Sequence, residues 1–280
     1  MRLREEVWEA EGFSEAASKN LVFVSLDFPR SQEAKDKVPN PKRNDELKNK
    51  YGIRGFPTVL VMTPDGEVFG KTGYRPGGAE PYIEHLNGML EAGKKDLADV
   101  QKLTKALDGA EGEARDEAID AIIAKLSEMD SESPFIGSLA DVVSEVYPTA
   151  KGERRKACVA ALVNAGRVDA DLLAAAKEID PDGSAGTWVG AVAAMADGVN
   201  SDEALEAAMT AITDLFDTMK EVPADKGKSL CANMSFWSFR IKEDEAAAVK
   251  WATRGLAMIK DSDDPADERL RGFFEDMLEE

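Results

Sequence analysis

The sequence predicts an α/β domain over residues 1–93 followed by an all-α domain over residues 94–280. Three observations carry that division. The strand-like runs, residues 21–28, 58–62 and 67–72, all fall in the first third. Beyond Lys94 the apolar residues recur at helical spacing, with almost no strand signal. The charge is also uneven: residues 1–93 hold 13 Lys and Arg against 15 Asp and Glu, whereas the whole chain carries −19, which leaves −17 on the remainder.

Taken in order, residues 1–19 read as a helix with a ragged apolar face of Leu3, Val7, Phe13, Ala16 and Ala17, interrupted near Gly12. Residues 21–28 form a near-continuous apolar run ended by Pro29, which predicts a strand buried on both faces. Residues 30–43 read as a polar, solvated loop with five Lys or Arg. Asn44 is the expected cap of a short helix ending at Lys50, and Gly52 closes it. Phe56-Pro57 then precedes the β-branched run Thr58-Val-Leu-Val-Met62. Thr63-Pro-Asp-Gly66 has proline at the second and glycine at the fourth position of a type I turn, so residues 67–72 return antiparallel. Gly77-Gly78 lead to a helix from about Ala79, with Pro81 in its first turn and a stripe of Ile83, Leu86, Met89 and Leu90.

Proline has no N–H for a sheet ladder, so Pro57 belongs at a strand's start rather than its middle. It is either an ordinary trans proline opening a strand or a cis proline; X-Pro bonds prefer trans by only about 0.5–1 kcal/mol. The neighbouring elements favour cis, which would leave the backbone beside Phe56 free to pair with an extended peptide. Residues 1–91, and above all Tyr51-Gly-Ile-Arg-Gly-Phe-Pro-Thr58 with Asp27-Phe-Pro29, resemble the thioredoxin family, in particular its bacterial branch. The resemblance implies a thioredoxin-like fold, thiol–disulfide redox chemistry, no bound cofactor, an extracytoplasmic home, and a substrate-binding role for Gly55, Phe56 and Pro57.

The resemblance also defines a gap. The family's chemistry sits in a Cys-x-x-Cys at the start of the helix matched here by residues 1–8, where the helix N-terminus would favour a thiolate. No cysteine occurs in residues 1–93. The family's central strand, expected between residues 21–28 and 58–62, is missing as well. The domain is therefore read as N-terminally incomplete, with the strand and dithiol expected upstream of residue 1. The rival reading is a redox-dead fold that serves as a peptide- or protein-binding scaffold.

Residues 94–280 read as an irregular array of α-hairpins. Ile119, Ile122, Ile123, Leu126 and Met129 share one helix face; Leu205, Met209, Ile212, Leu215, Phe216 and Met219 share another; Leu270, Phe273, Phe274 and Met277 share a third. Pro148, Gly166, Pro181-Asp-Gly183 and Pro223 punctuate the segments. Residues 228–259 loosely resemble one tetratricopeptide-like hairpin, without a clean 34-residue period. Its Phe236, Trp237, Phe239 and Trp251 are assigned to helix packing ahead of a peptide groove.

Several classes are disfavoured. A pI near 4.6 argues against nucleic acid and anionic membranes as partners, leaving proteins or peptides. No run approaches the roughly 18 apolar residues of a membrane span, and no apolar core follows Met1-Arg-Leu-Arg to make a signal peptide. His85 is the only histidine, which rules out histidine-pair metal sites and a histidine triad; it is read as a surface residue. Asp180-Pro-Asp-Gly183 and Asp261-Ser-Asp-Asp264 are read as turns and caps, and no metal is expected. Cys158 and Cys231 are expected as buried, unpaired thiols. Oligomeric state leaves no mark on the sequence.

Overall fold

The computed structural model describes residues 2–29, 31–131 and 133–279. The chain divides into two compact units, residues 1–105 with 132–135, and residues 106–131 with 136–280.

In the first unit a π-helical turn, Arg4–Trp8, and α1, Phe13–Ala17, are separated by Gly12, whose φ of 81° no β-carbon favours. Leu3, Val7, Phe13 and Ala17 turn inward and meet Val61, Tyr82, Leu86 and Leu90 in one core. The segment expected to be a polar loop contains a short helix, α2 (Gln32–Lys35), capped by the Ser31 hydroxyl, which accepts from the Ala34 N–H. The next helix, α3 (Pro41–Lys50), starts earlier than expected. Pro41 takes the first helical position and Asn40 precedes it, so Asn44 lies inside the helix. The buried Asn44 amide instead donates to the Asp27 carbonyl at 3.2 Å, tethering residues 21–28.

β1 (Val59–Met62) and β2 (Val68–Thr72) pair antiparallel, Val59 with Thr72 and Val61 with Gly70, with a bulge between Val61 and Met62. The turn is closed by the Gly66 N–H on the Thr63 carbonyl, and the Thr63 hydroxyl accepts the Glu67 N–H. α4 (Ala79–Leu107) lays Leu86 and Leu90 against the core and runs straight through Gly93. A β-carbon at Gly93 would sit 2.4 Å from that of Phe69, so this glycine is a packing notch within the helix.

Residues 21–28 are not a strand. The expectation of a strand buried on both faces fails for a physical reason. Among the described residues, no second chain segment supplies the backbone partners that such a strand requires, and the sheet consists of β1 and β2 alone.

The second unit consists of α5 (Gly112–Glu128), α6 (Ile136–Val146), α7 (Gly152–Asn164), α8 (Ala170–Ile179), α9 (Thr187–Asp197), α10 (Asp202–Thr218), α11 (Ala224–Arg240), α12 (Glu245–Met258) and α13 (Pro265–Glu279). Each packs on the next, and α5, α7, α9, α11 and α13 also pack on one another in turn. The three sequence stripes face inward, with Ile122, Leu126, Ile212, Leu215 and Phe274 essentially inaccessible. Trp237 and Trp251 are buried, as the packing assignment requires, while Phe236 stays exposed. Ser201 and Asp244 cap α10 and α12 through the Ala204 and Ala247 N–H groups. The Asp180 carboxylate accepts from the Ala185 and Trp188 N–H groups, a turn-and-cap role. Ion pairs join helices across the array: Arg154 to Asp116 and Asp120, Lys177 to Asp214, Lys242 to Glu206, and Lys228 to Asp267.

Candidate functional site

The start of β1 is the focus of the first unit. Gly55, Phe56 and Pro57 are all exposed and contiguous, and the Phe56–Pro57 peptide bond is cis. The Thr58 hydroxyl donates to the Gly55 carbonyl at 2.7 Å and pins the bend that precedes β1. Behind it, Gly73 approaches so closely that a β-carbon there would lie 3.0 Å from the Pro57 carbonyl oxygen. The Tyr82 hydroxyl donates to the Gly73 carbonyl at 2.8 Å, which fixes that approach from the core side. Next door the Tyr74 hydroxyl donates to Glu6 Oε2 at 2.6 Å, and this bond holds the Tyr74 phenol above its ordinary pKa. The ledge is therefore braced by α4 and the Arg4–Trp8 turn.

An apolar surface adjoins it. Phe56 is 55% exposed and its ring stacks on Phe28. Val22 and Val24 are 93% and 80% exposed, and Leu26 is exposed as well. Phe23 packs on Trp8 and Phe13, and the Asn44 amide holds the Asp27 carbonyl, so residues 21–28 are anchored although they join no sheet ladder. β1 pairs with β2 on one side and, among the described residues, with no strand on the other. Exposed apolar side chains beside an open strand edge form a template for an added strand.

The chemistry of thiol exchange is not supplied at this ledge. Cys158 and Cys231 lie in α7 and α11 of the helical unit, both buried and both free. Burial pushes the Cys231 thiol up to about 12 and raises that of Cys158 as well. Neither is a thiolate near neutrality, and a thiol is a poor nucleophile. His85 is half-buried rather than a surface residue; its Nε2 lies 3.0 Å from the Thr72 hydroxyl, and burial lowers its pKa. Among the described residues, no group of three or more His, Cys, Asp or Glu could hold a metal. Among the described residues, no helix is long and apolar enough to cross a membrane.

Sequence reasoning found the Gly55–Pro57 bend through its proline. It missed Phe28 as the partner of Phe56, because a stacking contact between separated segments leaves no local pattern. It also missed Tyr74 and Glu6, for the same reason.

Comparison with known proteins bears on the fold of this unit. Residues 1–86 match the family model of the thioredoxin-like domain. Over 93 residues the chain is 27% identical to the disulfide bond reductase DsbH of Chlamydia pneumoniae, a match covering 32% of this chain and 54% of that protein. The chain thus spans about half the length of the curated relative it matches. No solved structure matches it. The N-terminal third of the chain is a thioredoxin-like domain.

Proposed function

We propose that this chain is part of a thiol–disulfide redox protein, with Gly55, Phe56 and Pro57 as the ledge on which an extended substrate peptide lies. The observation that carries this reading is the exposed Phe56 ring, seated on Phe28 beside the open edge of β1. A peptide laid along such an edge gains main-chain hydrogen bonds, while the apolar side chains give it a footing. The similarity to a protein named as a disulfide bond reductase supports the redox half of the reading.

Reduction of a substrate disulfide needs a dithiol. One thiolate attacks a substrate sulfur and displaces the other as a thiolate. The second thiol then attacks the mixed disulfide, so two electrons and two protons reach the substrate and the protein is left as a disulfide. Cys158 and Cys231 are buried and protonated, so this reading assigns the dithiol to polypeptide upstream of residue 1. The same segment would supply a strand between residues 21–28 and β1, covering Val22 and Val24.

The test is insulin reduction by the 280-residue chain and by the product of the reading frame extended upstream. Turnover only in the longer protein is expected. An immediate in-frame stop codon upstream, or turnover by the short chain that Cys158→Ser or Cys231→Ser abolishes, would sink the assignment.

A second reading has its own support. The apolar ledge needs no thiol to hold a peptide, and the successive packing of α5, α7, α9, α11 and α13 is what a tetratricopeptide-like binding array would show. In this reading the chain is a non-catalytic scaffold. Peptide capture that persists with both cysteines replaced, and with no dithiol supplied by an upstream segment, would favour it.

A further inference from the structure

The ledge has arginines on both flanks. On one side Arg54 immediately precedes Gly55 and is exposed. The Ile53 N–H donates to the Lys48 carbonyl at 2.9 Å, which turns the chain off the end of α3 and sets where Arg54 leaves it. On the other side Arg75 is exposed two residues beyond Gly73, the glycine that backs Pro57. Arg75 lies close enough to Tyr82 and His85 to act on both: after burial, its charge is the next influence on either group. Gly55, Phe56 and Pro57, with the exposed Phe56 ring, stand between the two flanks.

Neither arginine is explained by the needs of the fold. Among the described residues neither makes an ion pair, whereas Arg4 is held by Glu9 and Arg43 by Glu46 in the same unit. Lys48 and Lys50 suit the last turn of α3, where the helix dipole favours cations, but Arg54 lies beyond the cap at Tyr51. Arg75 comes just ahead of α4, where the dipole favours anions instead. Carboxylates border the ledge too. Glu6 accepts from the Tyr74 hydroxyl, with Arg2 beside the same phenol, and Asp27 is exposed next to Phe28. In a chain of net charge −19, two guanidinium groups without an ion-pair partner thus stand on either side of an apolar ring.

We propose that the peptide taken by this ledge is acidic, with carboxylates on both sides of an apolar residue. The apolar side chain rests on Phe56 where it stacks on Phe28, and the carboxylates meet Arg54 and Arg75. The proposal rests on the reading of Gly55, Phe56 and Pro57 as a peptide ledge and adds the class of peptide. Charge complementarity selects the occupant. A guanidinium offers a carboxylate two parallel N–H donors. A basic peptide would set like charges against both flanks, and a neutral one would leave both unused. Screening confines such effects to about 8 Å at physiological salt, so the charges beside the ledge count for more than the net charge of the chain.

The experiment measures fluorescence anisotropy of labelled, end-capped peptides titrated with the 280-residue protein. The probes are Glu-Asp-Val-Leu-Val-Asp-Glu, its neutral form with Gln and Asn in place of Glu and Asp, and a basic form with Lys and Arg. The acidic peptide should bind about tenfold tighter than the neutral one, and the basic one weakest. Arg54→Gln and Arg75→Gln should each weaken the acidic peptide about threefold, the size of one exposed ion pair, and together about tenfold, without changing the neutral peptide. Circular dichroism checks that the variants fold, and the comparison of peptides on the wild-type protein needs no variant. Phe56→Ser separates the ledge from its charge preference. If it weakens the acidic and neutral peptides alike while the two bind equally, the ledge stands and the acidic preference falls. If no peptide binds, or Phe56→Ser alters none, the ledge itself falls and the preference with it. Tightest binding of the basic peptide, or an acidic preference unchanged in the folded double variant, would overturn the proposal. So would tighter binding of a single-stranded oligothymidylate that is lost in the double variant, since the arginines would then be a phosphate site.

Discussion

The rings of Phe28 and Phe56 stack with centroids 5.0 Å apart and planes 28° from parallel. The contact joins the end of a segment that lies outside the sheet to the bend that opens β1. It holds residues 21–28 close to the thioredoxin-like ledge although no sheet ladder does so. An offset aromatic pair contributes about 0.5–1.5 kcal/mol beyond the area it buries. Phe56→Ser should therefore loosen residues 21–28 without unfolding the unit. Limited proteolysis checks this: cleavage within residues 21–28 should be faster in the variant, while amide exchange shows α4 and β2 keeping their protection.

The exposed apolar surface should bind hydrophobic dyes and promote self-association. Val22 and Val24, at 93% and 80% exposed, contribute to it without belonging to the core. The double variant Val22→Lys, Val24→Lys should bind less anilinonaphthalene sulfonate and sediment with less concentration dependence. Its unfolding free energy should change by no more than about 0.5 kcal/mol, as for surface substitutions generally. A drop of several kcal/mol would show that these valines are packed, contrary to their exposure.

The sequence was most legible where a residue acts on its own neighbours. Thr63-Pro-Asp-Gly66 announced the hairpin because its turn is closed within four residues, by Gly66 on Thr63. Asp180 announced a turn and cap because its carboxylate reaches only to the Ala185 and Trp188 N–H groups. The failures lie where a distant partner decides. Residues 21–28 have a strand's side chains, yet a strand is a relation between two backbones, and the second is missing from the described residues. Nothing in the sequence around Gly93 records that Phe69 stands where its side chain would be. Asn44 looks like a cap until Pro41 claims the helix start and Asp27 claims the amide. At the site, Pro57 was visible from its own lack of an N–H, but Phe28 was not.

Close helix contacts in the second unit set the cost of adding a methyl group. At Gly255, in α12, a β-carbon would fall 2.3 Å from Phe274 Cζ, and that ring has no accessible surface. Gly272, in α13, has open space around the same position. Gly255→Ala should destabilise by about 1–3 kcal/mol through overpacking. Gly272→Ala should be neutral or stabilise by up to about 1 kcal/mol, since alanine is the better helix former. Urea denaturation of both variants measures the difference. Adding Phe274→Leu to Gly255→Ala should recover part of the loss, which a helix-propensity effect alone would not permit.

Asp267 opens α13 with its carboxylate almost inaccessible, accepting from Lys228 at 2.6 Å and from the Ser262 hydroxyl at 2.7 Å. The Lys228 bond, then the Ser262 bond, hold its pKa below the ordinary carboxylate value. The unfolded chain therefore binds the proton first as pH falls. The stabilisation is complete above an ordinary aspartate pKa of about 3.9 and is lost as pH drops through the lower folded value. Urea midpoints between pH 5 and pH 2.5 should fall more steeply for the wild type than for Asp267→Asn. Near neutrality Asp267→Ala should lower the melting temperature more than Arg154→Ala, whose partners Asp116 and Asp120 are both more than half exposed.

The two thiols make the opposite pH prediction. Cys231 is inaccessible in the core formed by α9 to α13, and burial pushes its pKa up to about 12. In the unfolded chain a cysteine ionises from about pH 8.5. Between those values unfolding releases a proton, so stability is fully present below the unfolded value and declines as pH rises toward the folded one. Cys231→Ala should flatten the fall in urea midpoint between pH 8.5 and pH 11. Native protein should react slowly with an aromatic disulfide reagent at pH 8, and both thiols should react at once in denaturant. Rapid titration of Cys158 or Cys231 in the folded state would mean that one is a working nucleophile, and the assignment of the dithiol to a segment upstream of residue 1 would lose its ground.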